Sequence, residues 1–385
     1  MQKIKTMDEV LNQAVSNTEK LDFKCRTMRE VLSGMLGEES EMLDEIFPME
    51  NEPTMFVVTL PDSVDGSSVL ACKETLARMV DKVGDDVYVL NRGNHPCPKG
   101  AKQLLADRNN EEQFNNAIGE EEFDIVVDGS AYNPQQTEIA IEKLNNENLK
   151  HYIHISTATV YEEGQPQPYK EDESKRGTAK SWGQYSTDKF LCEEILLSAY
   201  RDKKLPITLV RPFYVYGAEN NLDRESYVFT RLIKGAPIVV PGKGECKVQF
   251  GHIDDLCDAI MAISNSDKSI GEAYNVSGSE VVTFKEWIKT CGRVLQITPK
   301  MILVDAQEVG HKPREWFPFR DIDMYGDISK ISRQLGIKPK YNLYDGLKET
   351  ASHFTNVQLA QKSNINNVEK EIARSLKEHE SVIGG

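Results

Sequence analysis

The sequence predicts an α/β protein with a doubly wound parallel sheet, a smaller C-terminal lobe and a helical N-terminal extension. From residue 54 onward, short runs rich in β-branched residues alternate with helical stretches of about 10–15 residues, which is the pattern of βαβ units. The 385 residues exceed the roughly 250 at which one core usually stops growing, so further parts are expected around the main domain. The mean hydropathy of −0.48 is typical of a soluble globular chain.

Residues 1–53 form the predicted N-terminal extension. Their apolar residues recur at helical spacing, and Gly34 and Gly37 interrupt the pattern before Pro48 and Pro53 close it. Two or three short helices are therefore expected. This arm would pack on the body of the protein or on a second subunit, which leaves a homodimer open; the alternative is a docking element for another protein.

The predicted dinucleotide-binding domain spans residues 54–250. Its strands are the segments MFVVTL, VYVLN, FDIVVD, YIHIS and ITLVRP, and helices are expected at about 69–83, 111–118 and 139–144. Together they predict a parallel sheet of about seven strands whose carboxyl ends border a cleft. Residues 251–356 are expected to build a substrate lobe interleaved with this sheet, and 357–385 a polar helical tail.

Composition excludes several classes of function. The net charge of −15 opposes the phosphate backbone of nucleic acid, so nucleic-acid binding is not expected. The seven cysteines show no pair or cluster with metal-ligand spacing, which predicts reduced thiols and no metal site. No run approaches the ~20 apolar residues of a membrane helix, and the first residues are polar, so we expect a cytoplasmic protein without a membrane segment.

A candidate catalytic set follows the strand YIHIS. Thr157 ends this strand, Tyr185 comes 28 residues later, and Lys189 lies four positions beyond it. Positions i and i+4 share one face of a helix, so the lysine can sit one turn from the phenol. A nearby ammonium group lowers a tyrosine pKa from ~10 towards working pH, as a general acid/base requires.

The segments HISTATVY, YSTDKFLCEEIL and LVRPFYVYG resemble the extended short-chain dehydrogenases/reductases, in the NAD-dependent epimerase/dehydratase branch. This resemblance covers about residues 54–354 and implies that Thr157, Tyr185 and Lys189 are catalytic, with Ser156 as a substitute for Thr157. A finer resemblance, carried by VLNRG, FDIVVDGSAYNP and FPFRDIDMYGDISKI, is to the branch of the chloroplast stem-loop-binding proteins and their bacterial relatives.

The dinucleotide loop departs from the family pattern. A G-x-x-G-x-x-G or G-x-G-x-x-G turn lets the backbone approach a pyrophosphate, but here the segment after the first strand has only Gly66, together with Asp62 and Asp65. Each carboxylate would repel a phosphate by on the order of 1 kcal/mol at 4 Å in water. The fold is expected to survive, while cofactor binding at the pyrophosphate is expected to weaken.

Other cofactor contacts are retained in the sequence. Arg92 stands where an acid would select NAD, and an arginine there suits the 2′-phosphate of NADP, so NADP is favoured over NAD. The resemblance implies a cofactor-binding set consisting of Arg92, Asp107, Arg108, Gly129, Ser130, Ala131, Lys189 and Pro212.

The substrate side is also altered. Val248 occupies the position at which nucleotide-sugar epimerases carry an arginine, and His252 in the same segment is interpreted as a structural histidine. Arg314 and Arg320 are spare cations for an anionic substrate. The predicted substrate-binding residues are Ser156, Thr157, Arg211, Phe213, Gln249 and Arg320.

Two functional hypotheses remain at this stage. The first is an NAD(P)-dependent epimerase, dehydratase or reductase acting on a sugar or a related hydroxyl or keto compound, which the Thr157, Tyr185 and Lys189 set favours. The second is a degenerate relative that serves as a nucleotide-, protein- or RNA-binding module, which the altered loop favours. Fold alone does not separate them.

Overall fold

The structure is a computed structural model that describes residues 55–59, 86–94, 97, 99–145, 147–218, 220, 222–354 and 367–372. The predicted N-terminal helices, the loop at 61–68, the helix at 69–83 and most of the predicted tail lie outside these residues.

The described residues contain twelve strands and nine labelled α-helices, besides a short helical segment at 367–372. The strands are β1 Met55–Thr59, β2 Asp86–Asn91, β3 Lys102–Leu105, β4 Ile125–Asp128, β5 His151–Ile155, β6 Ile207–Pro212, β7 Tyr214–Tyr216, β8 Ile238–Pro241, β9 Lys247–His252, β10 Ala273–Val276, β11 Val281–Thr283 and β12 Met301–Val304. The helices are α1 Glu111–Ile118, α2 Pro134–Leu144, α3 Gln184–Lys203, α4 Glu225–Ile233, α5 Ile253–Ser264, α6 Phe284–Leu295, α7 Ala306–Val309, α8 Ser329–Leu335 and α9 Leu343–Ser352.

The main sheet has seven strands in the order β10-β6-β5-β4-β1-β2-β3. Every neighbouring pair is parallel. The first strand in the chain order, β1, lies inside the sheet. β2 and β3 are added on one side of it and β4, β5, β6 and β10 on the other, so the sheet is doubly wound. The predicted fold class is confirmed. The carboxyl ends of β1 and β4 lie side by side, at the topological switch point where such sheets bind ligands.

Strand alternation builds a core on each face of the main sheet. Val58, Val127 and Ile153 face one side, where α5 packs against them. Val57, Val126 and Tyr152 face the other side, which α3 covers with Leu196 and Ala199. Successive residues of a strand point to opposite faces, so strands buried on both faces are apolar at nearly every position.

The C-terminal lobe contains two small sheets, β11-β9-β7 and β12-β8. Its core is aromatic: Phe250 stacks on Trp287 with ring centroids 5.4 Å apart, and Phe319 packs edge-on against both. The chain leaves the main sheet after β6, forms β7, β8 and β9 in the small sheets, and returns to the main sheet at β10. The lobe is therefore interleaved with the main domain. The predicted boundary at residue 250 falls within β9.

Residues 367–372 form a short helix that is anchored to α4 by a buried ion pair. Arg231 on α4 donates through Nε to Glu369 Oε1 at 2.7 Å and through Nη2 to the other carboxylate oxygen. Ile372 belongs to the core of the lobe. This part of the predicted polar tail is therefore an integral piece of the lobe.

Candidate active site

The candidate active site is a cavity of about 170 Å³ at the carboxyl ends of β5 and β6. Thr157 lies two residues beyond the end of β5, and its side-chain oxygen accepts a hydrogen bond from the backbone N–H of Thr159 at 3.3 Å. Tyr185 lies in the first turn of α3. Both side chains line the cavity, together with Pro212 and Phe213 at the end of β6. These four residues, all selected from the sequence, therefore meet at one surface.

Lys189 lies one turn beyond Tyr185 and is 2% exposed. Its ammonium group donates to the backbone oxygen of Ala131 at 2.7 Å, to that of Ile155 at 2.8 Å and to Nε2 of His154 at 3.1 Å. Burial lowers the pKa of Lys189, because it disfavours the charged form. All three protons of the ammonium group have protein acceptors.

His154 is a site residue that the sequence analysis missed. Its ring is fully buried, and burial together with the charge of Lys189 lowers its pKa to about 3. The ring is therefore neutral, and acceptance at Nε2 assigns its proton to Nδ1, which has no hydrogen-bond partner among the described residues. In the segment YIHIS the histidine gives no signal beyond that of a strand residue.

Three arginines make the cavity electropositive. Arg224, Arg314 and Arg320 all line it, and Arg224 was not anticipated from the sequence. Arg320 packs over the Trp182 ring at 3.9 Å and donates through Nε to the backbone oxygen of Ser181 at 2.5 Å. Arg224 and Arg314 donate to backbone oxygens and form no salt bridge with any described residue. Their charge is available to an anionic ligand.

Several polar groups in the cavity lining lack partners. The Thr159 hydroxyl, the Tyr214 hydroxyl and the Trp182 indole N–H make no hydrogen bond within the described part of the chain. Buried polar groups are normally hydrogen-bonded, so unpaired groups around a cavity favour a ligand that supplies the missing partners. Together with the arginines, they suit a polar, anionic molecule.

The residues after β3 and β4 form a closed ionic network. Arg108 donates through Nη1 to Asp128 Oδ1 at 2.5 Å, to Ser130 Oγ at 2.6 Å and to Thr59 Oγ1 at 3.1 Å. Burial favours the neutral acid, but the guanidinium of Arg108 holds the pKa of Asp128 well below its usual range. Asp128 Oδ1 also accepts from the backbone N–H groups of Ser130 and Ala131 at 3.2 and 3.1 Å. These predicted cofactor residues, around Gly129, therefore bind one another.

An exposed arginine lies at the carboxyl ends of β2 and β3, where the adenosine of a dinucleotide would bind. Arg92 after β2 is exposed, and its charge reaches Asp107 after β3, where hydrogen bonds from Asn109 and then the arginine lower the pKa of the aspartate. An exposed guanidinium at this edge fits the phosphate or ribose of a dinucleotide. The loop that would contact the pyrophosphate lies outside the described residues.

Three predicted substrate-binding residues belong to the scaffold and do not line the cavity. Ser156 donates to Glu193 Oε1 at 2.6 Å, and Arg211 donates to the same carboxylate through Nε at 2.9 Å and Nη2 at 2.8 Å. Gln249 bridges the backbone of Gly278 and Gly326 at 2.7 and 2.9 Å. Their polar groups have protein partners, so substrate contacts by these three residues remain predictions without support from the cavity lining.

His252 has a structural role, as the sequence suggested. Nδ1 caps α5 by accepting from the backbone N–H of Asp254 at 3.2 Å, and Nε2 lies 3.1 Å from Glu349 Oε2. The described residues contain no cluster of three or more potential metal ligands. Within those residues, no helix is long and apolar enough to cross a membrane.

A doubly wound sheet with a threonine after β5 and a Tyr-x-x-x-Lys pair on the next long helix defines the class of extended short-chain dehydrogenases/reductases. The chain belongs to the NAD dependent epimerase/dehydratase family, whose sequence model matches residues 74–277. A second model, of a family of unknown function (DUF5688), matches residues 1–95.

Relatives span two kinds of protein. The chain is 28% identical to the chloroplast stem-loop binding protein of 41 kDa b of Arabidopsis thaliana over 71% of this chain and 74% of the relative. It is 27% identical to a UDP-N-acetyl-alpha-D-glucosaminuronate decarboxylase of Bacillus cytotoxicus, over 54% of this chain and 65% of that enzyme.

A solved structure supports the fold. The UDP-glucuronic acid 4-epimerase from Bacillus cereus, crystallised with UDP-glucuronic acid and NAD, superposes with a TM-score of 0.62 at 18% identity, covering 80% of this chain and 100% of that one. The resemblance inferred from the sequence is thus confirmed for both the family and the stem-loop-binding branch.

Proposed function

We propose that this protein is an NAD(P)-dependent epimerase, dehydratase or reductase that acts on a hydroxyl or keto group of a nucleoside-diphosphate sugar or a related anionic sugar. The observation that carries the proposal is the shared cavity of Thr157 and Tyr185, which three arginines also line. An acid/base pair beside a cationic surface suits a substrate with a reacting hydroxyl at one end and phosphate at the other.

The proposed roles follow from chemistry and position. Tyr185 removes the proton of the substrate hydroxyl or returns one to a keto oxygen, and Thr157 donates a hydrogen bond to that same oxygen. Lys189 stabilises the phenolate through its charge. A bound dinucleotide supplies the hydride acceptor or donor. Arg92 and Asp107 would hold its adenosine end, while the loss of the loop glycines weakens the contact with its pyrophosphate.

Dinucleotide content and turnover test the proposal. The supernatant of denatured protein is examined for NAD(H) and NADP(H) by absorbance and mass spectrometry, and added dinucleotide is titrated calorimetrically. Protein loaded with dinucleotide is then incubated with UDP-glucuronic acid and followed by NMR for a change at the sugar ring. Binding and conversion support the enzyme, and absence of dinucleotide binding at millimolar concentration refutes it.

The alternative is a binding module built on an enzyme fold that has lost its catalytic activity. Two observations favour it: the loop has Gly66 as its single glycine, and the protons of Lys189 are donated to protein acceptors. RNA is the ligand suggested by the name of the stem-loop-binding relative, but the net charge of −15 opposes it. The homodimer and the cytoplasmic location stay predictions from the sequence.

We expect NADP(H) to bind more tightly than NAD(H), and Arg92→Ala to remove that preference. A charge-assisted hydrogen bond to the 2′-phosphate contributes about 1.5–3 kcal/mol, which corresponds to a loss of about 10- to 100-fold in NADP(H) affinity. Calorimetric titration of both dinucleotides into the wild type and Arg92→Ala measures this preference. Arg201→Ala, at the opposite end of α3 from Tyr185, serves as the control. Equal affinities in the wild type contradict the prediction.

We expect Arg224→Met to weaken binding of UDP-glucuronic acid by about 10- to 100-fold, because a charge-assisted contact with the diphosphate is lost while the apolar stem is kept. Isothermal titration of wild type, Arg224→Met and Arg224→Lys measures the dissociation constants. The lysine variant should retain most of the affinity. Arg293→Met, in α6 and outside the cavity lining, is the matched control. Equal weakening by both methionine variants would show that the site is elsewhere.

A further inference from the structure

We propose that His154 is a positioning residue whose imidazole, 3.1 Å from the ammonium group of Lys189, fixes that group one helical turn from Tyr185; this rests on the proposed acid/base role of Tyr185. His154 touches neither the cavity nor any reacting atom, so it acts only through the lysine.

The hydrogen bonds of Lys189 come from two neighbouring strands. Ala131 O belongs to the loop after β4, whereas Ile155 O and His154 Nε2 belong to β5. An ammonium group with three acceptors in three directions has one preferred position. Two of these acceptors are backbone atoms that any sequence would supply, so the imidazole is the acceptor that depends on the identity of the residue.

A neutral acceptor is what the proposed chemistry needs. The other groups that act on the charge of Lys189 are Cys192 and Glu193 on α3, Asp128 on β4 and Arg108 after β3. Asp128 is paired with Arg108, and Glu193 with Arg211 and Arg176. A carboxylate at position 154 would neutralise the ammonium group. A neutral ring holds it and leaves its charge to act on the phenol.

The unpaired Nδ1–H of His154 strengthens the inference. A buried donor without a partner is costly, and a leucine would fill a similar volume without that cost. The contact with Lys189 is the only hydrogen bond that the ring makes within the described residues. The free-energy cost of burying the unpaired Nδ1–H is therefore offset by the contact with Lys189 and not by a wider hydrogen-bond network in the core.

An aromatic path links this group to the cavity. The ammonium group lies 5.9 Å from the centroid of the Tyr132 ring, and the Tyr132 ring lies 6.2 Å from that of Tyr185. A displaced ammonium group would change the electrostatic environment of both phenols. The ionisation of Tyr185 is therefore expected to change when Lys189 is displaced, and measuring it requires no substrate.

The test is a tyrosinate titration by ultraviolet absorbance, with the Tyr185 signal isolated by subtracting the curve of the matching Tyr185→Phe protein. We expect His154→Leu to raise the Tyr185 midpoint, with about a 10-fold lower ionisation constant, because an ammonium group with one unmet donor loses charge or moves. His154→Gln, whose amide can reach the position of Nε2, should restore the wild-type midpoint. His154→Asn, whose amide ends short of it, should behave like leucine even if the leucine variant fails to fold.

Two outcomes overturn the proposal: a midpoint unchanged in both the leucine and the asparagine variants, or a glutamine variant that behaves like asparagine. Lys189→Met separates this result from the function itself. If Lys189→Met shifts the Tyr185 midpoint and the His154 variants do not, the positioning role of His154 is refuted and the proposed function is unaffected. If Lys189→Met leaves it unchanged, the proposed partnership of Lys189 and Tyr185 fails, and the role of His154 fails with it.

Discussion

We expect Glu193→Leu to lower the free energy of unfolding by about 3–5 kcal/mol, because it leaves a buried guanidinium without its counter-ion. Glu193 is fully buried and accepts hydrogen bonds from Ser156, Arg176 and Arg211. Arg211 is 2% exposed and cannot turn to water without disturbing the core. Urea unfolding followed by circular dichroism measures the change.

Two further variants make the stability test specific. Glu194→Gln removes the neighbouring carboxylate, which is half-buried and pairs with Arg176, and should cost no more than about 1 kcal/mol. Glu193→Leu combined with Arg211→Met replaces the pair by apolar groups and should recover part of the loss. If Glu193→Leu and Glu194→Gln are equally stable, the network contributes nothing.

The difference in unfolding free energy between wild type and Glu193→Leu should depend on pH, and the direction of the change follows from the pKa of Glu193. Burial alone would raise the pKa of Glu193, but the charge and hydrogen bonds of Arg211, with Arg176, lower it to about 2 from 4.5. A carboxyl group with a depressed folded-state pKa stabilises the fold above its unfolded pKa, and that contribution disappears as pH falls towards 2. The stability gap between wild type and Glu193→Leu should therefore narrow by about 1 kcal/mol between neutral pH and about pH 3.5. A constant gap would contradict the charge assignment.

Local pattern was sufficient to predict five of the seven strands of the main sheet, but not β3 and β10. Strands such as β4 and β5 are buried on both faces and therefore read as continuous apolar runs bounded by polar turns. Thr157 and Tyr185 could also be found, because each follows a strand or opens a helix at a position that the parallel sheet brings to one edge. Both signals are short-range in the chain.

The contacts between distant segments could not be predicted in this way. Arg211 was interpreted as a substrate contact, since nothing near it in the chain reveals that Glu193 and Tyr161 occupy its guanidinium. Arg108 was placed in the cofactor-binding set, but its buried guanidinium donates to Asp128, 20 positions later. The side chain of Arg224 lines the cavity beside residues of distant segments, such as Thr157 and Arg314. In each case the deciding partner is remote in sequence.

Removal of one oxygen atom in Tyr185→Phe should lower kcat by about 10²–10⁴-fold for any sugar nucleotide that the wild type converts, with KM and dinucleotide affinity changed far less. The Tyr185 phenol is the acid/base group of the predicted catalytic set that lines the cavity, and Thr157 alone supplies no base. Steady-state kinetics with a matched dinucleotide titration separate the loss of chemistry from the loss of binding.

Tyr200→Phe is the matched control, because it removes the same atom from an exposed tyrosine on the same helix, near the end that lies away from the cavity. That variant should keep the wild-type rate, and both proteins should unfold at the same urea concentration. A Tyr185→Phe protein that retains full turnover would move the acid/base role to another group. A rise in KM at unchanged kcat would instead make Tyr185 a binding residue, because the hydroxyl would then contribute equally to ground state and transition state. Only a fall in kcat with dinucleotide affinity preserved assigns the proton transfer to the phenol.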